Sequence, residues 1–179
     1  MFFTIGHSSV TWADFVDNLK AHNIDCLVDV RSYPGSRRVP HFSKETMGID
    51  LAPSSIDYYH IPKLGGRRRK LAVQPDVNAW WTHQSFHNYA DYAQTSDFAE
   101  GMRELLSLEN TYARIAYMCS ESVWWKCHRR IITDYLIAAG HPVHHIIGAK
   151  VSLATINEAA ICCDGNTLRY PGPQTTLAL

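Results

Sequence analysis

Short apolar runs alternate along this chain with amphipathic stretches, and that alternation constrains the fold more than any other feature of the sequence. Phe2 to Gly6 is an apolar run of strand length. Trp12, Phe15, Val16 and Leu19 then recur at the i, i+3, i+4, i+7 spacing of one helix face, with Thr11 as N-cap and Asp14 three residues on. Cys26 to Val30 (CLVDV) is a second apolar run without alternation, the pattern of a strand covered on both faces. Asp57 to Leu64 is β-rich and stopped by Gly65-Gly66, and the Pro62 within it suits a strand end or an edge. Phe98, Met102, Leu105 and Leu106 mark a helix after the start signal Thr95-Ser96-Asp97, and Arg114 to Met118 reads as a strand. Ile131, Ile132, Tyr135 and Leu136 line another helix that stops at Gly140, and Val143 to Ile147 is a further strand. This pattern predicts an α/β fold: a single domain with a mostly parallel open sheet of about four to five strands flanked by helices, joined by right-handed crossovers.

Between these elements the signals are weaker. Tyr33 to Pro53 holds three prolines and two glycines, which predicts a long loop with one helical turn near Lys44 to Met47. Loops of that length in a compact domain are usually functional. Residues 71–85 show little periodicity. Beyond Ile147 the pattern fades to one expected helix near 152–161 and a polar, proline-containing tail. Residues 1–150 are therefore expected to form the α/β domain and 151–179 a C-terminal extension of open role.

A chain of 179 residues, 46% hydrophobic and 19% charged, has the composition of one globular domain. No apolar run reaches the ~18 residues of a membrane-spanning helix, and the start MFFTIGHSS lacks a basic signal region, so a soluble cytoplasmic protein without membrane partners is expected. Five cysteines without small-domain spacing (Cys26, Cys119, Cys127, Cys162, Cys163) are expected as reduced thiols. The net charge of zero is not local. Residues 31–70 carry nine basic residues against three acidic ones, an excess of six positive charges matched by a deficit elsewhere. An anionic partner, either a small molecule or nucleic acid, is expected for that stretch. The oligomeric state is left open.

In an open parallel sheet, ligands bind outside the carboxyl ends of the strands. That rule singles out His7 and Ser8 after the first run, Arg31 and Ser32 after the second, and Cys119, Ser120 and Glu121 after the fourth. Adjacent strands lie ~4.8 Å apart, so three central strand ends bring such residues within roughly 10 Å. Cys127, His128 and Arg129 stand at or just before a helix start, where free N–H groups and partial positive charge favour an anion or a thiolate. Of the thiols, Cys127 is expected to be the most reactive, Cys119 shielded and Cys26 inert. No metal or cofactor is expected. Cys119, Cys127 and His128 lack a paired C-x-x-C spacing, a fourth ligand would have to come from His7, His60 or Glu121, and no Gly-rich phosphate loop with Lys-Ser/Thr is present.

The segments TIGHSS, DVRSYPGSRRVPHFS, YYHIPKLGGRR, FHNYADYAQTSDF and AYMCSESVWWKCHRRIITDYL resemble, in order and spacing, the bacterial and archaeal family called domain of unknown function 488. The resemblance covers about residues 2–147. It implies a small α/β domain with marked positions at His7, Arg31, Arg37, Cys119, Glu121, Cys127, His128 and Arg129, and it implies no established activity. A more distant likeness is to rhodanese domains, in which Asp29, Arg31 and Cys119 would flank the site. The departure is that Ser-Val-Trp-Trp-Lys precedes Cys127, where a rhodanese has a short loop of small residues leading straight into a helix.

Three functions are weighed on these residues. The first is an enzyme acting on a phosphate-bearing substrate, a nucleotide or a nucleic-acid base. Its anion would be held by Arg31, Arg37, Arg38, Arg67, Arg129 and Ser8, with Glu121 as general acid or base. Cys119 or Cys127 would be the nucleophile and His7 or His128 its proton partner. The second is a rhodanese-like sulfurtransferase working through a cysteine persulfide. The third is a non-catalytic nucleic-acid-binding module with Trp80, Trp81, Trp124 and Trp125 as stacking platforms.

Overall fold

The computed structural model describes residues 1–35, 39–72, 77–163 and 167–173. Thirteen elements are used below. They are β1 (Phe2–Gly6), α1 (Trp12–Ala21), β2 (Cys26–Asp29), α2 (Lys44–Leu51), β3 (Asp57–His60), α3 (Gln84–Tyr92) and α4 (Ser96–Ser107). They continue with β4 (Ile115–Cys119), α5 (Arg129–Ala138), β5 (Val143–Ile147), β6 (Lys150–Leu153), β7 (Ile161–Cys163) and β8 (Thr167–Arg169). The architecture is α/β. One six-stranded sheet runs in the order β3-β2-β4-β1-β5-β6, the first five strands being parallel and β6 antiparallel to β5. The five parallel strands match the expected number, and β6 adds one at the edge. Among the described residues no helix is long and apolar enough to cross a membrane.

Alternation along each strand divides the core into two layers. Phe2, Cys26, Val28, Ile115 and Tyr117 face one side of the sheet, where they pack with residues of α3, α4 and α5. Phe3, Ile5, Leu27, Ala116 and Met118 face the other, against Phe15, Val16 and Leu19 of α1 and Met47 and Leu51 of α2. This is why CLVDV shows no polar alternation: both of its faces are covered. Each fully buried large side chain contributes roughly 1.5–3 kcal/mol, and α1 alone presents three. Thr11 caps α1 by accepting the Asp14 N–H at 3.1 Å, and Thr95 caps α4 by accepting that of Phe98.

Strands β1 and β4 lie side by side, yet the helix following β1 covers one face and the helix following β4 covers the other. That divergence leaves a crevice at their carboxyl ends, the topological switch point of an open sheet. Gly6 pairs with Cys119 and Asp29 with Met118, so the ends of β1, β4 and β2 are level.

One expectation is corrected. The segment 152–161 is not a helix, because β6 pairs with β5 through a tight turn in which Gly148 takes φ +57°, and the chain then runs to the β7–β8 hairpin. Edge pairing satisfies backbone groups there that Ala-rich helix propensity alone would have put in a helix. In the stretch after residue 80, α3 forms with Phe86, Tyr89, Ala90 and Ala93 at the i, i+3, i+4, i+7 spacing of one face, and it buries Tyr89, Ala90, Asp91 and Tyr92. Leu168 and Tyr170, beyond residue 150, are fully buried in the core layer that holds α5. Asp134 of α5 accepts the Asn157 N–H at 2.9 Å and the Tyr170 hydroxyl at 3.0 Å.

Candidate functional site

A pocket of about 300 Å³ opens at the switch point. Of the eleven candidate residues, six line it: Arg31, Arg67, Cys119, Glu121, Cys127 and His128. Arg31 and Glu121, ninety residues apart, thus meet around one cavity as strand-end geometry requires. His7, Ser8 and Arg129 do not line it, and Arg37 and Arg38 lie outside the described residues.

Arg31 follows β2 and has almost all of its donors engaged. Its Nε donates to both Asp29 oxygens, its Nη2 to Asp29 at 2.6 Å and to the Phe42 carbonyl at 2.7 Å, and its Nη1 to His7 Nε2 at 3.2 Å. Of five N–H groups in a guanidinium, one Nη1 hydrogen is left over among the described residues. His7 itself is buried behind Arg31 and stacked on Phe42 with ring centroids 4.1 Å apart. Burial and the Arg31 charge lower its pKa to about 4, so the ring is neutral, with Nδ1–H donating to the Ser8 carbonyl. Ser8 holds a left-handed φ of +40° and donates its backbone N–H to the Ser120 carbonyl, tying β1 to the loop after β4.

Arg129 was expected to grip an anion, but only 1% of it is exposed. It lies on the first turn of α5, under the pocket. Nε donates to Cys127 Sγ at 3.3 Å, Nη1 to the Thr4 hydroxyl at 3.1 Å and Nη2 to the Glu121 carbonyl at 2.5 Å. Its charge therefore reaches the pocket through the Cys127 sulfur. Gly6 makes this possible, since a Cβ there would lie 1.8 Å from the Glu121 carbonyl oxygen.

Cys119, at the end of β4, and Cys127, just before α5, meet on the pocket floor with His128. His128 Nε2–H donates to the Val30 carbonyl at 3.0 Å, which turns Nδ1 toward the thiols, 3.6 Å from Cys127 Sγ and 3.9 Å from Cys119 Sγ. The three donor atoms lie within 4.8 Å of one another. Burial pushes the Cys127 thiol up, but the Cys119 thiol donating to it and the Arg129 guanidinium outweigh this and bring it down to about 6. Cys119 is pushed up to about 12 by that same bond to Cys127 and by burial. At neutral pH the pair thus shares one proton, held on Cys119. Burial pushes Cys26 up to about 12 as well. The pull toward thiolate at Cys127 comes from the Cys119 thiol and the Arg129 guanidinium, and Cys127 is as buried as Cys119.

The positive excess of 31–70 is less available than its count suggests. Lys63 pairs with Glu100, and Arg68 lies 3.6 Å over the Tyr92 ring while donating to the Pro62, Lys63 and Gly65 carbonyls. Arg67 is exposed at the pocket and, among the described residues, anchored only by its backbone N–H to Ser32 Oγ. The tryptophans are also engaged: Trp80, Trp81 and Trp124 surround the Arg130 guanidinium, Trp124 stacks on His145, and Trp125 is the exposed one of the four.

Sequence reasoning missed Tyr33, Ser85, Phe86, Lys126 and Gly66, all of which line the pocket. Phe86 comes from α3, whose signal was the i, i+3, i+4, i+7 spacing of Phe86, Tyr89, Ala90 and Ala93. Gly66 had a signal in the Gly65-Gly66 pair: a Cβ on it would come 2.3 Å from His128 Nδ1 and 2.7 Å from Cγ, so the imidazole face rests on bare backbone.

The fold and pocket define the chain as a doubly wound α/β protein with a dithiol–imidazole cluster at its switch point. The family model described as Domain of unknown function DUF488 matches residues 11–136, and the chain belongs to that family. The match includes Arg31, Cys119, Glu121, Cys127, His128 and Arg129, while His7 and Ser8 precede it. No curated protein and no solved structure matches the chain.

Proposed function

We propose that this protein is an enzyme acting on a phosphate-bearing substrate, a nucleotide or a nucleic-acid base. The observation that carries the reading is the convergence, in one pocket, of free cations, aromatic faces and reactive groups. Arg67 and Lys126 hold the phosphate, with the last Arg31 hydrogen beside them. Tyr33 and Phe86 offer rings on which a base stacks. Glu121, on an exposed loop, exchanges protons with the substrate, and the cluster of Cys119, Cys127 and His128 approaches it from the floor. A pure binding module has no use for two buried thiols packed against an imidazole, which favours catalysis.

The rhodanese-like alternative draws on the Asp29–Arg31 pair at the end of β2. Against it, the thiol in the expected place, Cys119, holds its proton tightly.

Titration calorimetry with nucleoside monophosphates, the matching nucleosides and oligonucleotides tests the proposal. Phosphate-bearing ligands bind, replacing both Arg67 and Lys126 by alanine weakens them more than the nucleosides, and Glu121→Gln spares binding while abolishing turnover of whichever ligand is converted. If no nucleotide or polynucleotide binds even in dilute buffer, the proposal fails.

A further inference from the structure

We propose that Cys119, Cys127 and His128 form a binding site for one zinc-class transition-metal ion, with three protein ligands and a fourth position open to the pocket. The sequence argued against a metal because C-x-x-C spacing is missing. The fold supplies the proximity that the spacing lacks.

The first support is distance. With Zn–S about 2.3 Å and Zn–N about 2.0–2.1 Å, a tetrahedral site has S···N edges of roughly 3.6 Å. The Nδ1-to-sulfur separations of 3.6 and 3.9 Å match such edges to within a few tenths of an ångström, and all three donors fall within 4.8 Å.

The second support is how the ligands are held. A histidine that binds a metal through one ring nitrogen usually donates its other N–H to a carbonyl or carboxylate, which fixes both tautomer and orientation. His128 does this to Val30, and the Gly66 backbone lies against its ring, so Nδ1 is aimed at the two sulfurs. Arg129 donates to Cys127 Sγ, a bond that a metal-bound thiolate accepts equally well. Adjacent residues can serve together here because the backbone changes course between them, from φ −127°, ψ 146° at Cys127 to φ −56°, ψ −18° at His128.

The third is the open side. All three ligands line the pocket together with Ser120 and Glu121, and none of the other lining residues adds a cysteine or histidine. Three protein ligands with a vacant position is the arrangement of catalytic rather than structural zinc. Two thiolates balance the ion's charge, and their softness selects zinc, cobalt(II) or iron(II) over magnesium or calcium. The inference stands on the cluster alone and does not depend on which substrate the pocket takes.

The test uses the full chain, reduced with a phosphine, stripped with a chelator and titrated with cobalt(II). One equivalent is expected to give the intense visible bands of a tetrahedral ion together with a thiolate-to-cobalt charge-transfer band, and zinc is expected to displace it while magnesium does not. Cys119→Ser, Cys127→Ser and His128→Ala each remove the saturable one-equivalent signal. Cys162→Ser with Cys163→Ser, at the exposed hairpin, leaves it intact. X-ray absorption of the zinc-loaded unsubstituted chain, which needs no variant to fold, is expected to show two sulfur neighbours. A first shell without sulfur, no charge-transfer band at one equivalent, or a signal that survives in the Cys119 and Cys127 variants overturns the proposal.

Discussion

Replacing Asp134 by asparagine isolates what it takes to seal the C-terminal segment onto α5. Asp134 is 1% exposed and accepts the Asn157 N–H and the Tyr170 hydroxyl, both from beyond β6. Burial pushes its carboxyl up from 3.8 to about 6, and those two bonds with the Arg130 charge offset only part of that. The native state therefore holds this proton to higher pH than the unfolded chain does, and stability falls as pH rises from about 4 to 6. The whole displacement corresponds to roughly 3 kcal/mol. Just under half of it, roughly 1.4 kcal/mol, develops between about pH 5 and 7.5, where urea unfolding is practical. An asparagine side chain in this place still accepts from the Asn157 N–H, and the Tyr170 hydroxyl can turn to accept from its amide, so the substitution removes the charge and little else. His7 and His145, both lowered to about 4 by burial, produce the opposite slope, with stability lost as pH falls from 6.5 toward 4. They are common to both proteins and cancel in the difference. Asp134→Asn should thus gain on the unsubstituted protein by roughly 1.4 kcal/mol from pH 5 to 7.5 in parallel urea titrations. A difference flat with pH, or one that moves the other way, would refute the account of Asp134 as a buried carboxyl that resists ionisation.

Arg67 and Arg68 are neighbours with different work. Arg67→Ala should lower the log–log salt slope of polyanion binding by about 0.9 with stability unchanged, as expected for one lost phosphate contact. Arg68→Ala should leave that slope alone and lower stability by roughly 2 kcal/mol, through loss of the Tyr92 ring contact and the carbonyl bonds; equal effects on binding from the two would contradict this division. Gly66→Ala should push the His128 ring off the Val30 carbonyl at a cost of about 1–3 kcal/mol, and imidazole NMR shifts identical to the unsubstituted protein's would show that the ring does not rest there.

What could be read from the sequence is what is local. The helix face of Trp12, Phe15, Val16 and Leu19, the caps at Thr11 and Thr95, and the covered strand CLVDV all declare themselves because helix and strand periods act over a few residues. The α/β class follows from their alternation, and strand-end residues such as Arg31, Cys119 and Glu121 follow from the class. Tertiary structure decided the rest. The insertion of β4 between β1 and β2 is a pairing across about ninety residues, and it is what brings Cys119 to the Val30 carbonyl's imidazole partner, His128. Whether an arginine faces solvent or spends its donors inside is equally non-local: Arg129 turns under the pocket because Thr4 and the Glu121 carbonyl accept from it, while Arg67 stays free because only its backbone is engaged. Residues 152–161 have the composition of a helix, but their first two complete β6 on the edge that β5 offered and 154–160 run as an irregular connection to the β7–β8 hairpin. Periodicity records which face of an element is buried, whereas the partner that buries it is chosen by packing energy shared among distant segments, and no single stretch of sequence carries that information.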